Sequence, residues 1–81
     1  MTIQVQLFAV LRDKAGISRF ELQLPDEATI ASSVEFLLVE YPALRPFAAT
    51  VRHAVNLEYV TLETSLHDGD EWALIPPVSG G

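Results

Sequence analysis

The stretch Thr29–Pro42, TIASSVEFLLVEYP, decides the fold because it predicts the principal helix of the chain. Its apolar residues recur at i, i+4, i+7, i+8 and i+11, the spacing of one helical face. They are Ile30, Val34, Leu37, Leu38 and Tyr41. Thr29 is a suitable N-cap, and Pro42 closes the helix because the residue before a proline is pushed out of the α region. Ser32 and Ser33 fall mostly off the apolar face. The pattern predicts an amphipathic helix that packs one face on a sheet.

Two strands are predicted before this helix. In Thr2–Phe8 apolar and polar residues alternate, which is typical of a half-buried strand. Phe8 is the exception, an aromatic residue on the polar side. Arg19–Leu24 alternates in the same way, and Asp13–Gly16 indicates a turn or short connection between the two runs. The two runs together predict an antiparallel hairpin.

Three further strands are predicted after the helix. Val51–Val55, Tyr59–Leu62 and Glu71–Ile75 are the candidates, with a turn at Asn56–Glu58 and a second turn at Asp68–Asp70, where Gly69 can adopt a positive φ.

The connecting segments and the aromatic residues complete the expected core. Ala43–Thr50 is expected to be a connection anchored by Leu44 and Phe47, and Leu66 to fill the core from a loop. Phe20, Tyr41 and Trp72 are expected on the inner side as well. The two histidines, His53 and His67, are expected at the surface.

The element order β-β-α-β-β-β predicts an α+β domain in which one helix covers one mixed sheet. Parallel pairing of the first and last strands would close the middle of that sheet, which is the β-grasp arrangement. We expect residues 1–75 to form this domain and residues 76–81 to form an extended tail.

Composition and charge exclude several classes of function. The net charge is −6, and such a surface repels phosphate, which argues against nucleic acid and anionic membranes as partners and favours a basic protein. No apolar run approaches the roughly 18 residues of a membrane span. There is no cysteine, and with only two histidines, fourteen residues apart, the sequence argues against a zinc site. Together with the lack of a secretory signal pattern, this predicts a cytoplasmic protein without a bound metal.

The ending Pro76-Pro77-Val78-Ser79-Gly80-Gly81 is the most informative functional stretch. Proline cannot donate to a sheet, so Pro76 and Pro77 are expected to end the last strand and stiffen the exit. Gly80 and Gly81 have no Cβ, so their backbone can enter a slot that rejects side chains. Six extended residues reach roughly 20 Å, far enough to place a carboxylate inside another protein.

Four segments carry a family resemblance that spans essentially the whole chain. They are Phe8–Arg12 (FAVLR), Val55–Val60 (VNLEYV), Leu66–Glu71 (LHDGDE) and the ending Pro76–Gly81 (PPVSGG). Together they resemble the small subunits of molybdopterin synthase, a family of ubiquitin-like sulfur carriers. Trp72 departs from the family pattern, where a small aliphatic residue is usual, and the Ser32-Ser33 pair is more polar than is typical.

The resemblance implies a chemistry centred on Gly81. An E1-like adenylyltransferase would use ATP to adenylate the Gly81 carboxylate, and a sulfur donor would convert the adenylate to a thiocarboxylate. The tail would then enter the large subunit of the synthase, in a heterotetramer, and give its sulfur to a cyclic pyranopterin precursor. The chain itself is then a sulfur-donating subunit that binds no cofactor and does not catalyse the reaction alone.

A partner-binding surface is expected beside the tail. If Trp72 and Leu74 face the helix, Ile75 faces outward and becomes a neighbour of Phe8 on the open side of the sheet, where Tyr59 can join them. The resemblance places the large-subunit contact on these positions and on the tail residues Pro76, Pro77, Val78 and Ser79. Arg12 is a further candidate contact. The alternative for Phe8 is burial over the sheet edge, and the alternative for Arg12 is simple solvation.

Two other functions stay open at this point. The first is sulfur delivery to thiamine thiazole or to thio-modified tRNA, which shares the Gly-Gly ending and the adenylation step. The second is a ubiquitin-like binding module whose tail is inert.

Overall fold

The computed structural model of the chain describes residues 1–77. The strands are β1 (Thr2–Leu7), β2 (Arg19–Gln23), β3 (Arg52–Val55), β4 (Glu58–Val60) and β5 (Glu71–Ile75). The helices are α1 (Val10–Ala15), α2 (Ile30–Glu40) and a 3-10 helix (Pro42–Phe47). Val51, Thr61 and Leu62, which the sequence places inside strands, lie outside β3 and β4, whereas Glu58, predicted in a turn, begins β4.

The five strands form one mixed sheet in the order β2-β1-β5-β3-β4. β1 pairs with β2 in antiparallel fashion and with β5 in parallel fashion, while β3 is antiparallel to both β4 and β5. The first and last strands therefore lie side by side in the middle of the sheet. This topology confirms the β-grasp prediction.

The principal helix α2 begins and ends where the sequence predicts. Thr29 has extended backbone angles, and its hydroxyl accepts a hydrogen bond from the Ser32 backbone N–H at 3.2 Å. The Ser32 hydroxyl in turn accepts from the Thr29 backbone N–H at 3.0 Å, which completes a reciprocal cap. Tyr41 follows Glu40 and is the C-cap residue, immediately before Pro42.

One residue of α2 lies on a different face from the one predicted. Ser33 is fully buried, and its hydroxyl donates to the Thr29 carbonyl oxygen at 2.6 Å. The hydroxyl is satisfied within its own helix, so a serine can occupy a core position at little cost. The buried face of α2 therefore includes Ser33 beside Ile30 and Leu37, in addition to the predicted apolar residues.

The connection between β1 and β2 contains a short helix that the sequence pattern did not predict. Helix α1 buries Leu11 against the core and ends at Gly16, which has φ +76° and closes the helix in the left-handed conformation. The Asp13–Gly16 segment, interpreted as a turn, is the last turn of this helix and its cap.

The core lies between the inner side of the sheet and α2. Ile3, Val5, Leu7, Trp72 and Leu74 project from β1 and β5, and the face of α2 covers them. Leu66 is fully buried, as predicted for a loop residue that fills the core. Leu44 is buried as well, whereas Phe20, Tyr41 and Phe47 are half-buried and pack at the margin of the core.

Candidate functional site

The candidate site is a shallow hollow on the open side of the sheet. The strand register sets Gln6, Ala73, Ala54 and Tyr59 side by side across β1, β5, β3 and β4. The two alanines form a low floor because their side chains are the smallest in the row. The hollow has a volume of about 200 Å³.

Bulky apolar side chains surround this floor. Phe8, Leu57, Tyr59 and Ile75 all line the hollow. Phe8 is 45% exposed, Tyr59 67% and Leu57 94%, so much apolar area faces solvent at one place. Contiguous apolar patches of this kind mark interaction sites in soluble proteins. The structure thus brings Phe8, Tyr59 and Ile75 together and leaves Phe8 exposed rather than folded over an edge.

An unusual backbone conformation follows Phe8. Ala9 has φ +50° and ψ −125°, a region in which glycine is normally found. The chain turns sharply here, out of β1 and into α1. Phe8 thus stands between a strand and a helix, at the edge of the hollow.

The predicted tail leaves from the rim of the hollow. β5 ends at Ile75, as expected from the two prolines that follow. Pro76 is half-buried and Pro77 is exposed. The tail residues Val78, Ser79, Gly80 and Gly81 lie outside the described residues.

Arg12, the other candidate contact, does not line the hollow. It lies on α1 with its side chain 56% exposed, and its Nε is 3.7 Å from the carboxylate of Asp13. Both side chains are largely in solvent, so the pair contributes little to stability. Arg12 thus stays a candidate contact that lies outside the hollow.

The acidic side chains next to the hollow make internal contacts. Glu71 accepts a hydrogen bond from Arg19 at 3.0 Å across the open side of the sheet. The Asp70 carboxylate accepts from the Asn56 side-chain amide at 2.9 Å and from the His67 backbone N–H at 2.8 Å. These bonds fix the turn before β5 onto the turn after β3.

A buried pair lies on the inner side of the sheet, behind the hollow. Trp72 is fully buried, as predicted, and its indole Nε1–H donates to His53 Nδ1 at 3.0 Å. Since Nδ1 accepts, the neutral ring carries its proton on Nε2. Burial lowers the pKa of His53 below its usual 6.5.

The surface prediction for His53 was wrong. His53 is only 6% exposed because its register partner is Leu74, which also points inward. His67 is exposed, as expected.

The lining of the hollow is mostly apolar, which suits contact with another protein surface. Its lining is Gln6, Phe8, Ala54, Leu57, Tyr59, Glu71, Ala73 and Ile75, and its one carboxylate is paired with Arg19. Within residues 1–77 there is no cluster of His, Asp or Glu that could hold a metal ion. No helix in the described part of the chain is long and apolar enough to cross a membrane.

Sequence reasoning missed Leu57 as a site residue. The sequence predicts only a turn at Asn56–Glu58, and a turn alone does not show that Leu57 lines the hollow. The signal that marks it is the dipeptide Asn56-Leu57 at a two-residue hairpin position, where Asn-Gly is the usual choice.

Comparison with known proteins identifies relatives of this chain over nearly its whole length. The model of the ThiS family matches residues 5–81. The molybdopterin synthase sulfur carrier subunit of Chlamydomonas reinhardtii is 39% identical over 83 residues, covering 100% of both chains. SAMP1 from Haloferax volcanii superimposes with a TM-score of 0.88 at 31% identity, again over 100% of both chains.

A solved complex also contains a chain of this fold. It is the complex of subunits 1 and 2 of the molybdopterin-converting factor from Helicobacter pylori 26695. The matched chain has a TM-score of 0.72 at 26% identity and is covered over its full length, as is the present chain. With a family match over nearly the whole sequence, this chain belongs to the ThiS family, and its resemblance to the small subunits of molybdopterin synthase is confirmed.

Proposed function

We propose that this protein is the sulfur carrier subunit of a molybdopterin synthase, with Gly81 as the residue that carries the sulfur. The observation that carries the proposal is the position of the apolar hollow, on the open side of the sheet at the point where β5 ends. Family membership over residues 5–81, which include the Gly80-Gly81 pair, supports it.

The proposed division of labour follows from this layout. Residues 1–75 provide a docking surface of Phe8, Tyr59 and Ile75, and residues 76–81 act as an extended arm. Pro76 and Pro77 keep the arm from folding back into the sheet because they cannot donate to a strand. A partner that covers the hollow therefore receives the arm in a defined direction.

The proposed chemistry begins with activation of a poor electrophile. The Gly81 carboxylate attacks ATP in the E1-like partner, forming an acyl adenylate and releasing pyrophosphate. A sulfide-level nucleophile then forms a C–S bond at the Gly81 carbonyl as the C–O bond to AMP breaks. The resulting thiocarboxylate is ionised at neutral pH and nucleophilic at sulfur, in the sense that thiolates are.

The second half of the proposed cycle takes place in the large subunit. The thiocarboxylate sulfur forms a C–S bond to a carbon of the cyclic pyranopterin precursor as a C–O bond at that carbon breaks and its oxygen leaves. Water then cleaves the acyl–sulfur bond, so that the sulfur stays on the precursor and the Gly81 carboxylate is regenerated. Repeated delivery builds the dithiolene. The acid–base groups for these steps belong to the partners, because the hollow holds no unpaired acid or base other than the phenol of Tyr59.

Reconstitution tests the proposal. Protein loaded with sulfur by ATP, the E1-like enzyme and a sulfur donor is mixed with the molybdopterin synthase large subunit and the precursor. We expect dithiolene product from the wild type and none after deletion of Gly81. Loading without product would favour the thiazole or tRNA pathway. A tail that is never loaded would favour the inert binding module.

A second candidate is suggested by the archaeal relatives. The chain is 33% identical to small archaeal modifier protein 1 of Haloferax volcanii over 84 residues. A modifier would pass the activated Gly81 carbonyl to an amine instead of to sulfur. Conjugates between this chain and other proteins, resistant to thiol reagents, would distinguish that use of the same tail.

A further inference from the structure

The turn between β3 and β4 carries a side chain that is unfavourable for the free protein. Val55 pairs with Glu58, so Asn56 and Leu57 form a two-residue hairpin loop. Both have positive φ, +51° for Asn56 and +71° for Leu57. This turn type favours glycine at the second position, because a Cβ there crowds the backbone.

Leu57 gains nothing within the domain that offsets this cost. Its side chain is 94% exposed and makes no part of the core. Polar residues such as Asn adopt the left-handed conformation more readily than Leu does. An apolar residue at this point therefore costs conformational free energy and also leaves apolar area in water.

The turn is nevertheless held in a fixed position. The Asn56 backbone N–H donates to the Glu71 carbonyl oxygen at 2.8 Å, and the Glu71 backbone N–H donates to the Asn56 side-chain oxygen at 3.0 Å. The Asn56 amide also donates to Asp70. Leu57 thus extends from a turn fastened to β5, the strand that leads to the tail, and binding need not order a loose loop.

We propose that Leu57 is an affinity-determining contact for the large subunit, extending the Phe8–Tyr59–Ile75 surface to the β3–β4 turn. This inference rests on the proposed function. The occupant we commit to is the large subunit, because Leu57 lines the same hollow as Phe8 and Ile75. Its side chain would enter an apolar recess of that subunit, and the strain in the free protein would be offset in the complex.

Substitution of Leu57 tests the proposal, because it should lower the affinity for the large subunit without lowering the stability of the domain. In Leu57→Asn the backbone conformation is better tolerated, so the melting temperature should stay the same or rise. Binding to the large subunit, measured by calorimetric titration, should weaken about tenfold, which corresponds to about 1.4 kcal/mol. Val39→Asn is the matched control, because Val39 is 80% exposed on α2 in the other layer and should not affect binding.

The outcomes separate this inference from the proposed function. One outcome would overturn the inference alone: Leu57→Asn and Val39→Asn both bind like wild type, while Phe8→Ala binds weakly. The proposed function would then stand. If Leu57→Asn loses affinity but also melts well below wild type, the residue is structural and the inference is again wrong. If wild type does not bind the large subunit, both are overturned.

Discussion

At the scale of single residues, the hollow makes a prediction about Phe8 and Ile75. Each should contribute apolar contact to the large subunit, so Phe8→Ala and Ile75→Ala should each weaken binding at least tenfold, or about 1.4 kcal/mol. Phe36→Ala is a matched control, because Phe36 is 43% exposed on α2 and Phe8 is 45% exposed beside the sheet. Calorimetric titration and thermal melting of the three variants give the answer. Equal affinity for Phe8→Ala and Phe36→Ala would show that the hollow is not the docking surface.

A second residue-scale prediction concerns His53 and pH. Burial lowers the pKa of His53 in the folded state below the 6.5 of the unfolded chain, so the unfolded chain binds the proton more tightly. The stability contributed by neutral His53 is complete above pH 6.5. It should be lost as the pH falls from 6.5 through the lower folded pKa. Urea unfolding of wild type and His53→Gln over this range should show a steeper loss in the wild type.

The hydrogen bond to Trp72 supplies an internal check on that prediction. Gln offers an oxygen that can accept from the indole N–H, whereas Ala leaves this buried donor unpaired at a cost of about 1–3 kcal/mol. His53→Ala should therefore be the less stable variant at pH 8. If both variants had the pH dependence of the wild type, His53 would not be the group whose protonation lowers stability.

At the scale of elements, the packing of α2 on the sheet makes a prediction about Leu37. Leu37 is 1% exposed, and Leu37→Ala should lower the free energy of unfolding by about 2–5 kcal/mol through the cavity it leaves. A small domain has only about 5 kcal/mol or somewhat more in total, so the variant should be close to unfolding at 37 °C. Val39→Ala on the exposed side should change the value by no more than about 0.5 kcal/mol. Similar denaturation midpoints for the two variants would show that Leu37 does not lie on the buried face of α2.

Periodicity predicted the strands and α2 because those elements repeat over several residues. Helix α1 has too few turns to show a repeat, and its Asp13-Lys14-Ala15-Gly16 ending resembles a turn. Ser33 and His53 were misplaced for a different reason. Each is polar yet satisfied by a specific partner, the Thr29 carbonyl or the Trp72 indole, and such pairing appears only once the chain is folded.

The candidate site shows the same division between pattern and tertiary contact. The alternation of residues along β1 and β5 was enough to predict that Phe8 and Ile75 lie on the open side of the sheet. The contribution of Leu57 depends on the positive φ of a turn and on the hydrogen bonds that fasten Asn56 to β5. Neither can be read from a list of apolar positions.

At the scale of the whole molecule, the topology explains how docking and delivery are joined. β5 lies between β1 and β3 in the middle of the sheet, so the strand that leads to the tail also forms part of the floor of the hollow. A net charge of −6 adds a long-range attraction to basic partners. In the proposed function, residues 1–75 determine the affinity for the large subunit and the direction in which the tail enters it, and residues 76–81 carry the sulfur.

The central claim is that Gly81 carries sulfur, and the intact mass of the protein tests it most directly. The wild type and two variants are each incubated with ATP, the E1-like adenylyltransferase and a sulfur donor. One variant lacks Gly81. The other is Gly80→Val, whose branched Cβ should block entry to the activating enzyme. We predict that the wild type alone gains the mass of one sulfur-for-oxygen exchange, located at the C-terminal glycine by fragmentation. An unchanged wild-type mass, or an equal gain in the variant lacking Gly81, would contradict the account.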